Sequence, residues 1–317
     1  MPVRETAAVS APATAGAQGR TTRPSVLGSC FRRSTALLLA PLAACATTTP
    51  PAVTGAVPAS PPAGMQYLYG SGEGAALSVQ AWHGLLGYVA GKMKARPADS
   101  VVLAQGASLD APTFVPCGDK PLAAVFDVDE TVLLNIGYEY HDATTGKGYS
   151  AADWDAWEKT GEGAVAPVPG ADHVLAALRK MGVTVIFNTN RSAANADATA
   201  RAIRAAGLGE AVHGRTLYLS GDDAMGSRKD GRRVTIAAKY CVIAMAGDQL
   251  GDFSDLFNAG QAVPARRAAT MTLPIAGMWG NGWFVMPNPV YGSGLKGGFD
   301  EIFPMDKRWA PPAKGEQ

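Results

Sequence analysis

Leu122-Ala123-Ala124-Val125-Phe126-Asp127-Val128-Asp129-Glu130-Thr131 is an apolar run that ends in two carboxylates spaced two apart. The run predicts a buried parallel strand, covered by helices on both faces. Side chains alternate along a strand, so Asp127 and Asp129 would share a face at its carboxyl end, where open α/β sheets bind ligands. Two acids so placed need a cation, a shared proton or hydrogen bonds to offset them. The pattern suggests a metal site or acid/base chemistry; a solvated acidic turn is the other reading of Asp-x-Asp taken alone.

The 317 residues include 28 basic and 27 acidic side chains, for a net charge of +1. That length can bury one substantial α/β core plus a smaller appendage. Lys and Arg are scattered among acids rather than gathered in a stripe, which argues against a nucleic-acid polymer as partner. No apolar run reaches the ~18 residues that a membrane-spanning helix needs.

Residues 1–45 read as a lipoprotein signal peptide. Arg32-Arg33 precede the short apolar run from Ala36 to Ala44, which ends at Cys45. Leu42-Ala43-Ala44-Cys45 looks like a bacterial lipobox, which would make Cys45 the lipidated mature N-terminus. Its acyl chains would hold the protein to a lipid bilayer of the bacterial cell envelope. Ala46 after the Cys favours the outer membrane. An ordinary secretory signal ending near a Cys is the alternative. Residues 46–64, rich in Pro, Thr and Ala, read as an extended tether. Residues 65–115 read as an N-terminal helical segment, since Leu77, Trp82, Leu85, Leu86, Val89 and Met93 recur at helical spacing from about Ala75 to Arg96.

From 116 to 310 the chain alternates strands and helices, the signature of a doubly wound parallel sheet in an α/β fold. Strands are expected at Leu122–Phe126, Val183–Asn188, Thr216–Leu219, Val242–Ala246 and Trp283–Met286. Helices are expected at Ala171–Lys180, Ala193–Ala206 and Lys229–Lys239, with Gly182 and Gly207 as stops. An insertion at about 132–168 holds Tyr138, Tyr140, Tyr149, Trp154 and Trp157 and reads as a small, mainly helical cap.

Three more polar clusters follow at the ends of expected strands. Thr189 and Asn190 stand just before a helix, where free N–H groups and a hydroxyl suit a phosphate or simply cap the helix. Ser227-Arg228-Lys229-Asp230-Gly231-Arg232-Arg233 begins another helix and by itself reads as a solvated charge run. Gly247-Asp248-Gln249-Leu250-Gly251-Asp252 again closes an apolar strand with two acids.

Taken together and in this order, the four clusters resemble the haloacid dehalogenase superfamily. They resemble most its class C acid phosphatases, the bacterial lipoprotein 5'-nucleotidase family. Phe126 to Leu133 looks like that family's first motif, and Asn188-Thr189-Asn190-Arg191 is similar to its Ser-Asn-Arg motif with Thr for Ser. Trp154-x-x-Trp157, Val168-Pro169-Gly170-Ala171 and Met286 to Gly292 also look like its segments.

The resemblance implies a Rossmann-like core and a Mg²⁺-dependent acid phosphatase acting on small-molecule phosphomonoesters, nucleoside 5'-monophosphates among them. It implies Asp127 as nucleophile, forming an aspartyl-phosphate, and Asp129 as general acid and base. Thr189, Asn190 and Lys229 would bind phosphate, with Lys229 preferred over Arg228 and Arg232 on the family's spacing. Mg²⁺ would be held by Asp127, the Asp129 backbone carbonyl and Asp248, with Asp252 behind a ligand water. Tyr138, Tyr140, Trp154, Trp157 and Tyr291 could stack a base or an aryl group, or form the cap's own core. Because the first- and fourth-motif strands are neighbours in this superfamily, Cys117 and Cys241 either pair as a disulfide or remain as buried thiols. A phosphotransferase of the same superfamily, or a surface lipoprotein that binds without turnover, are the alternative functions.

Overall fold

In the computed structural model, residues 58–258 and 260–311 are described. The signal segment, Cys45 and most of the tether lie outside these residues. Nine strands are found among the described residues: β1 Asp99–Leu103, β2 Phe114–Pro116, β3 Leu122–Phe126, β4 Leu133–Leu134, β5 Ala166–Pro167, β6 Thr184–Ser192, β7 Leu217–Ser220, β8 Cys241–Gly247 and β9 Trp283–Val285. Five of them form a parallel sheet in the order β7-β6-β3-β8-β9. The chain leaves central β3 toward β6 and β7 on one side, then crosses to β8 and β9 on the other. The gap between β3 and β8 is therefore the switch point where such sheets bind ligands. Register is level there, because Phe126 pairs with both Phe187 and Ala246.

Alternation along β3 divides the core into two layers. Ala124 and Phe126 face a layer built by helices Gly72–Lys94, Ala171–Lys180 and Ala196–Ala205, where Trp82 stacks on Phe126 at 5.5 Å between ring centroids. Ala123 and Val125 face the other layer, with Ile236 of helix Asp230–Lys239, Phe253, Phe257 and Trp283. Fully burying side chains of this size contributes about 1.5–3 kcal/mol each. The layers are thus the main support for the rim of the sheet.

Two boundaries differ from the sequence expectation in ways that matter. The segment 65–115 is helical only through Lys94; β1 and β2 follow as an antiparallel pair. Val101 and Val102 are buried in the second layer, and the Val101 carbonyl accepts the Trp283 indole N–H at 2.8 Å. A short strand formed by packing against a Trp 182 residues away leaves little local signal. Strand β6 also runs on through Ser192, so Thr189 and Asn190 end a strand rather than open a helix. The Ser192 hydroxyl takes the capping role, accepting from the Ala194 N–H at 3.2 Å. Gly182 and Gly207 do terminate their helices, at φ +81° and +75°.

Cys117 and Cys241 are joined as a disulfide, 124 residues apart in sequence, at the amino end of β8. Closing so long a loop restricts the unfolded chain, and its removal is expected to cost about 2–5 kcal/mol. Thermal melts with and without reductant check this; identical melting temperatures, with both thiols confirmed reduced, would contradict it.

Candidate active site

The loop after β3 carries the first acids to the rim. The Asp127 N–H donates to the Ala246 carbonyl at 3.0 Å, locking the loop to β8, and the Val128 carbonyl accepts from Thr131, Val132 and Leu133. Glu130 lies in the left-handed region at φ +53°, the one such non-glycine among the described residues. This strain is held by its buried carboxylate, which accepts from the Asn135 N–H at 2.8 Å, the Tyr69 hydroxyl at 3.1 Å and the Tyr291 hydroxyl. Burial, aided by nearby Asp129, pushes the Glu130 pKa up to about 7. One side chain thereby ties the loop to the N-terminal segment and to the chain after β9.

Carboxylate oxygens of Asp127, Asp248 and Asp252 lie within 4.8 Å of one another. Three acids this close repel, and one ammonium answers them. Lys229 Nζ donates to Asp252 at 2.7 Å and to Asp127. Burial works against the Lys229 charge, but Asp127 and Asp252 outweigh it and raise its pKa. Burial also raises the Asp127 pKa, with Asp252, Asp248 and Asp129 adding to the effect against the pull of Lys229. Asp248 is pushed up to about 7 by burial and by Asp252, although it accepts from Asn288 Nδ2 at 2.6 Å and Gln249 Nε2 at 2.9 Å. A cluster of hard oxygen donors with more negative charge than its own lysine offsets fits a divalent cation.

Asp129 is held apart from this cluster. Its Oδ1 accepts from Arg191 Nε at 2.9 Å and Nη2 at 2.7 Å, and from Asn135 Nδ2 at 2.9 Å. The Thr189 hydroxyl lies 3.4 Å from the other oxygen. Thr189 is fully buried and is not among the cavity-lining residues, whereas Asn190 is exposed at the cavity wall and accepts from Arg232 at 2.7 Å. Arg191, Asn135 and Glu130 were not singled out as site residues from sequence. Arg191 is marked in the sequence by its place in the Asn-Thr-Asn-Arg run and Glu130 by its place in the first motif, whereas Asn135 carries no local signal.

A second set of polar residues fixes Lys229 against Asp252. Asp255 accepts from the Lys229 and Asp230 N–H groups at 2.9 and 2.8 Å, capping helix Asp230–Lys239. Buried Arg233 donates to Asp230 and to the Gly251 and Asp252 carbonyls, both at 2.9 Å. The helix bearing the ammonium and the turn bearing the acid are therefore clamped together.

All of this opens into a cavity of about 960 Å³. Tyr138, Trp154 and Tyr291 line it, and so does Tyr149. Tyr140 and Trp157 do not. Tyr140 is two residues from Tyr138 on helix Ile136–Thr145, hence on another face, and is 69% exposed. Trp157 is the core of the cap: its indole N–H donates to Asn135 Oδ1 at 2.9 Å. Its ring lies where a Cβ on Gly137 or Gly161 would fall within 2.7 Å. Of the two readings open for these aromatics, packing in the cap holds for Trp157, whereas Tyr140, being exposed, fits neither.

The profile of the HAD superfamily, subfamily IIIB (Acid phosphatase), matches residues 82–294. Among solved structures, the class C acid phosphatase from Bacillus anthracis is similar with 24% identity and a TM-score of 0.60, covering 73% of this chain and 84% of its own. The same enzyme with tungstate bound is similar with 22% identity and a TM-score of 0.60, covering 75% and 92%. Identities this low speak for a shared fold. No curated protein matches the chain.

Proposed function

We propose, from the premise that this chain belongs to the HAD superfamily acid phosphatases of subfamily IIIB, that it hydrolyses phosphomonoesters through an aspartyl-phosphate on Asp127 with help from a divalent cation. Nucleoside 5'-monophosphates fall within the substrates it would accept. The observation that carries this reading is the Asp127, Asp248 and Asp252 cluster facing a buried Lys229 at the mouth of the sheet.

A phosphomonoester is an anion that repels a carboxylate, so the phosphoryl oxygens must be neutralised before attack. Lys229 supplies a positive charge beside the nucleophile and is positioned to meet those oxygens. Asn190, at the cavity wall, adds an amide to the same region. Asp127 then attacks phosphorus as the alcohol leaves, and Asp129 donates the proton that the alkoxide takes up. In the second half Asp129 removes a proton from water, which attacks phosphorus and frees Asp127. Proton transfer of this kind contributes about 10²–10⁴-fold. Arg191 and Asn135 hold the Asp129 carboxylate in place for both halves. Mg²⁺ held by Asp127, the Asp129 carbonyl and Asp248, with Asp252 behind a ligand water, would neutralise phosphoryl charge.

Phosphate release from p-nitrophenyl phosphate and from AMP, with Mg²⁺ and with chelator, tests the reading. Release that is indifferent to exhaustive chelation would remove the cation from the mechanism. Stability offers an independent check. Burial, aided by neighbouring acids, pushes Asp248, Glu130 and Glu139 up to about 7, above the ordinary carboxylate range. Groups raised in this way add stability that is full below the unfolded pKa and is lost as pH rises through about 7. Chelated protein is therefore expected to lose melting temperature between about pH 4 and pH 7. Mg²⁺ should raise it more at about pH 8 than at pH 5. An equal Mg²⁺ effect at both pH values would count against the carboxylate site.

Anchoring to the envelope through Cys45, the tether at 46–64 and the domain limits stay proposals that rest on sequence. Metabolic labelling with a radioactive fatty acid, lost on Cys45→Ser, would test the anchor.

A further inference from the structure

Eight carboxylic side chains line the active-site cavity, against two basic ones. Six of the eight have partners. Asp127 and Asp252 bind Lys229, Asp129 binds Arg191, Asp230 and Asp255 bind Arg233, and Asp248 accepts from Gln249 and Asn288. Glu139 and Asp142 are the other two. Three residues apart on cap helix Ile136–Thr145, they project from one helix face into the cavity. Among the described residues, Glu139 has no hydrogen-bonding or cationic partner for its carboxylate, although it is only 5% exposed. Oδ1 of Asp142 is buried without a partner, whereas the Glu139 oxygens keep access to the cavity. Leaving a buried carboxylate unmatched is unfavourable, so its environment is completed by whatever enters the cavity.

The occupant must supply positive charge or strong donors. Among the described residues, Asp127, Asp248 and Asp252 are the one group with three or more ligands suited to a metal, and neither Glu139 nor Asp142 belongs to it. That favours an organic cation over a second metal ion. Tyr149, lining the same cavity and 73% exposed, supplies an aromatic ring, a group that ammonium ions favour. Phosphate and cation would thus be read from different walls, the first by Lys229 and the second by the cap.

We propose that Glu139 and Asp142 form a subsite for an amine or quaternary ammonium carried on the alcohol side of the phosphomonoester. The inference rests on the phosphomonoesterase reading and adds the class of leaving group. Substrates whose alcohol bears a cation are preferred, and those with further negative charge are disfavoured.

The test compares choline phosphate with 3,3-dimethylbutyl phosphate, a pair of matched shape that differs in charge. At about pH 8, where Glu139 is mostly ionised, wild-type kcat/KM is expected to favour the cationic ester by at least ~10-fold. The Glu139→Gln/Asp142→Asn double variant, checked for a cooperative melt, should bring that ratio close to one, mainly through KM for choline phosphate. Equal values in wild type, or a ratio that survives in the double variant, would overturn the subsite and leave the hydrolase reading standing. So would a preference for a neutral, hydroxyl-rich ester such as ribose 5-phosphate. Should neither ester nor p-nitrophenyl phosphate turn over, the hydrolase reading fails instead, and the subsite is decided by binding. Calorimetric Kd values for the pair on Mg²⁺-loaded Asp127→Asn must then differ by ~10-fold in favour of the cation; equal Kd values overturn it.

Discussion

Asp127→Asn is expected to lower phosphate release by ~10⁴-fold or more, because the amide that replaces the carboxylate cannot form the aspartyl-phosphate. The fold should survive. The amide keeps the shape of the carboxylate, the Asp127 N–H to Ala246 bond is a backbone one, and Lys229 retains Asp252. Removing one of the three clustered acids also relieves their mutual repulsion. The chelated variant should therefore melt within a few degrees of wild type, and Mg²⁺ should stabilise it less. Wild-type turnover with p-nitrophenyl phosphate in this variant would eliminate Asp127 as nucleophile. Loss of turnover together with loss of the cooperative melt would instead point to a structural role.

Lys229→Met should show the largest stability change of any substitution at the rim. The ammonium is 4% exposed and bridges Asp127 and Asp252, so its loss leaves two buried carboxylates without their cation. Breaking a buried pair from one side costs about 3–5 kcal/mol. In a domain of this size that corresponds to roughly 6–20 °C in melting temperature. The defect should be greatest in chelator at about pH 8. It should shrink at about pH 4.5, where Asp127, with its raised pKa, takes up a proton. Mg²⁺ should recover part of the stability by replacing charge, whereas turnover should remain down by about 10²–10³-fold for want of the phosphate-binding group. An unchanged melt in chelator at pH 8 would show that Lys229 does not hold the pair together.

Local pattern made much of the architecture readable. The run from Leu122 to Phe126 is the strand expected of five consecutive apolar residues, and Ala171–Lys180 matches its expected limits residue for residue. Central strands buried on both faces leave a continuous apolar signal, and glycines at positive φ mark helix ends by a local steric rule. The hairpin of β1 and β2 was not readable for the opposite reason: its burial depends on distant Trp283. The aromatic residues of the cap were ambiguous one by one. Tyr138, Trp154 and Trp157 share a cluster of ring contacts, yet Trp154 reaches the cavity and Trp157 does not. Nothing in their spacing separates them, since the glycines that accommodate Trp157 sit 20 residues before it and four after it.

The order and chemistry of the four polar clusters are properties of the chain, written in short runs where each acid, lysine or threonine follows its strand. These runs carry the α/β class, and it is their resemblance to the haloacid dehalogenase pattern that implies the grouping of Asp127, Asp129, Lys229, Asp248 and Asp252. Which of them share one charge balance was settled only by folding. Coulomb energy depends on separation and burial rather than on sequence distance. Lys229 meets Asp127 across 102 residues, while Asp129, two residues from Asp127, is claimed by Arg191 instead. The unpartnered state of Glu139 and Asp142 belongs to the same level, because a carboxylate lacks a partner only relative to everything packed around it.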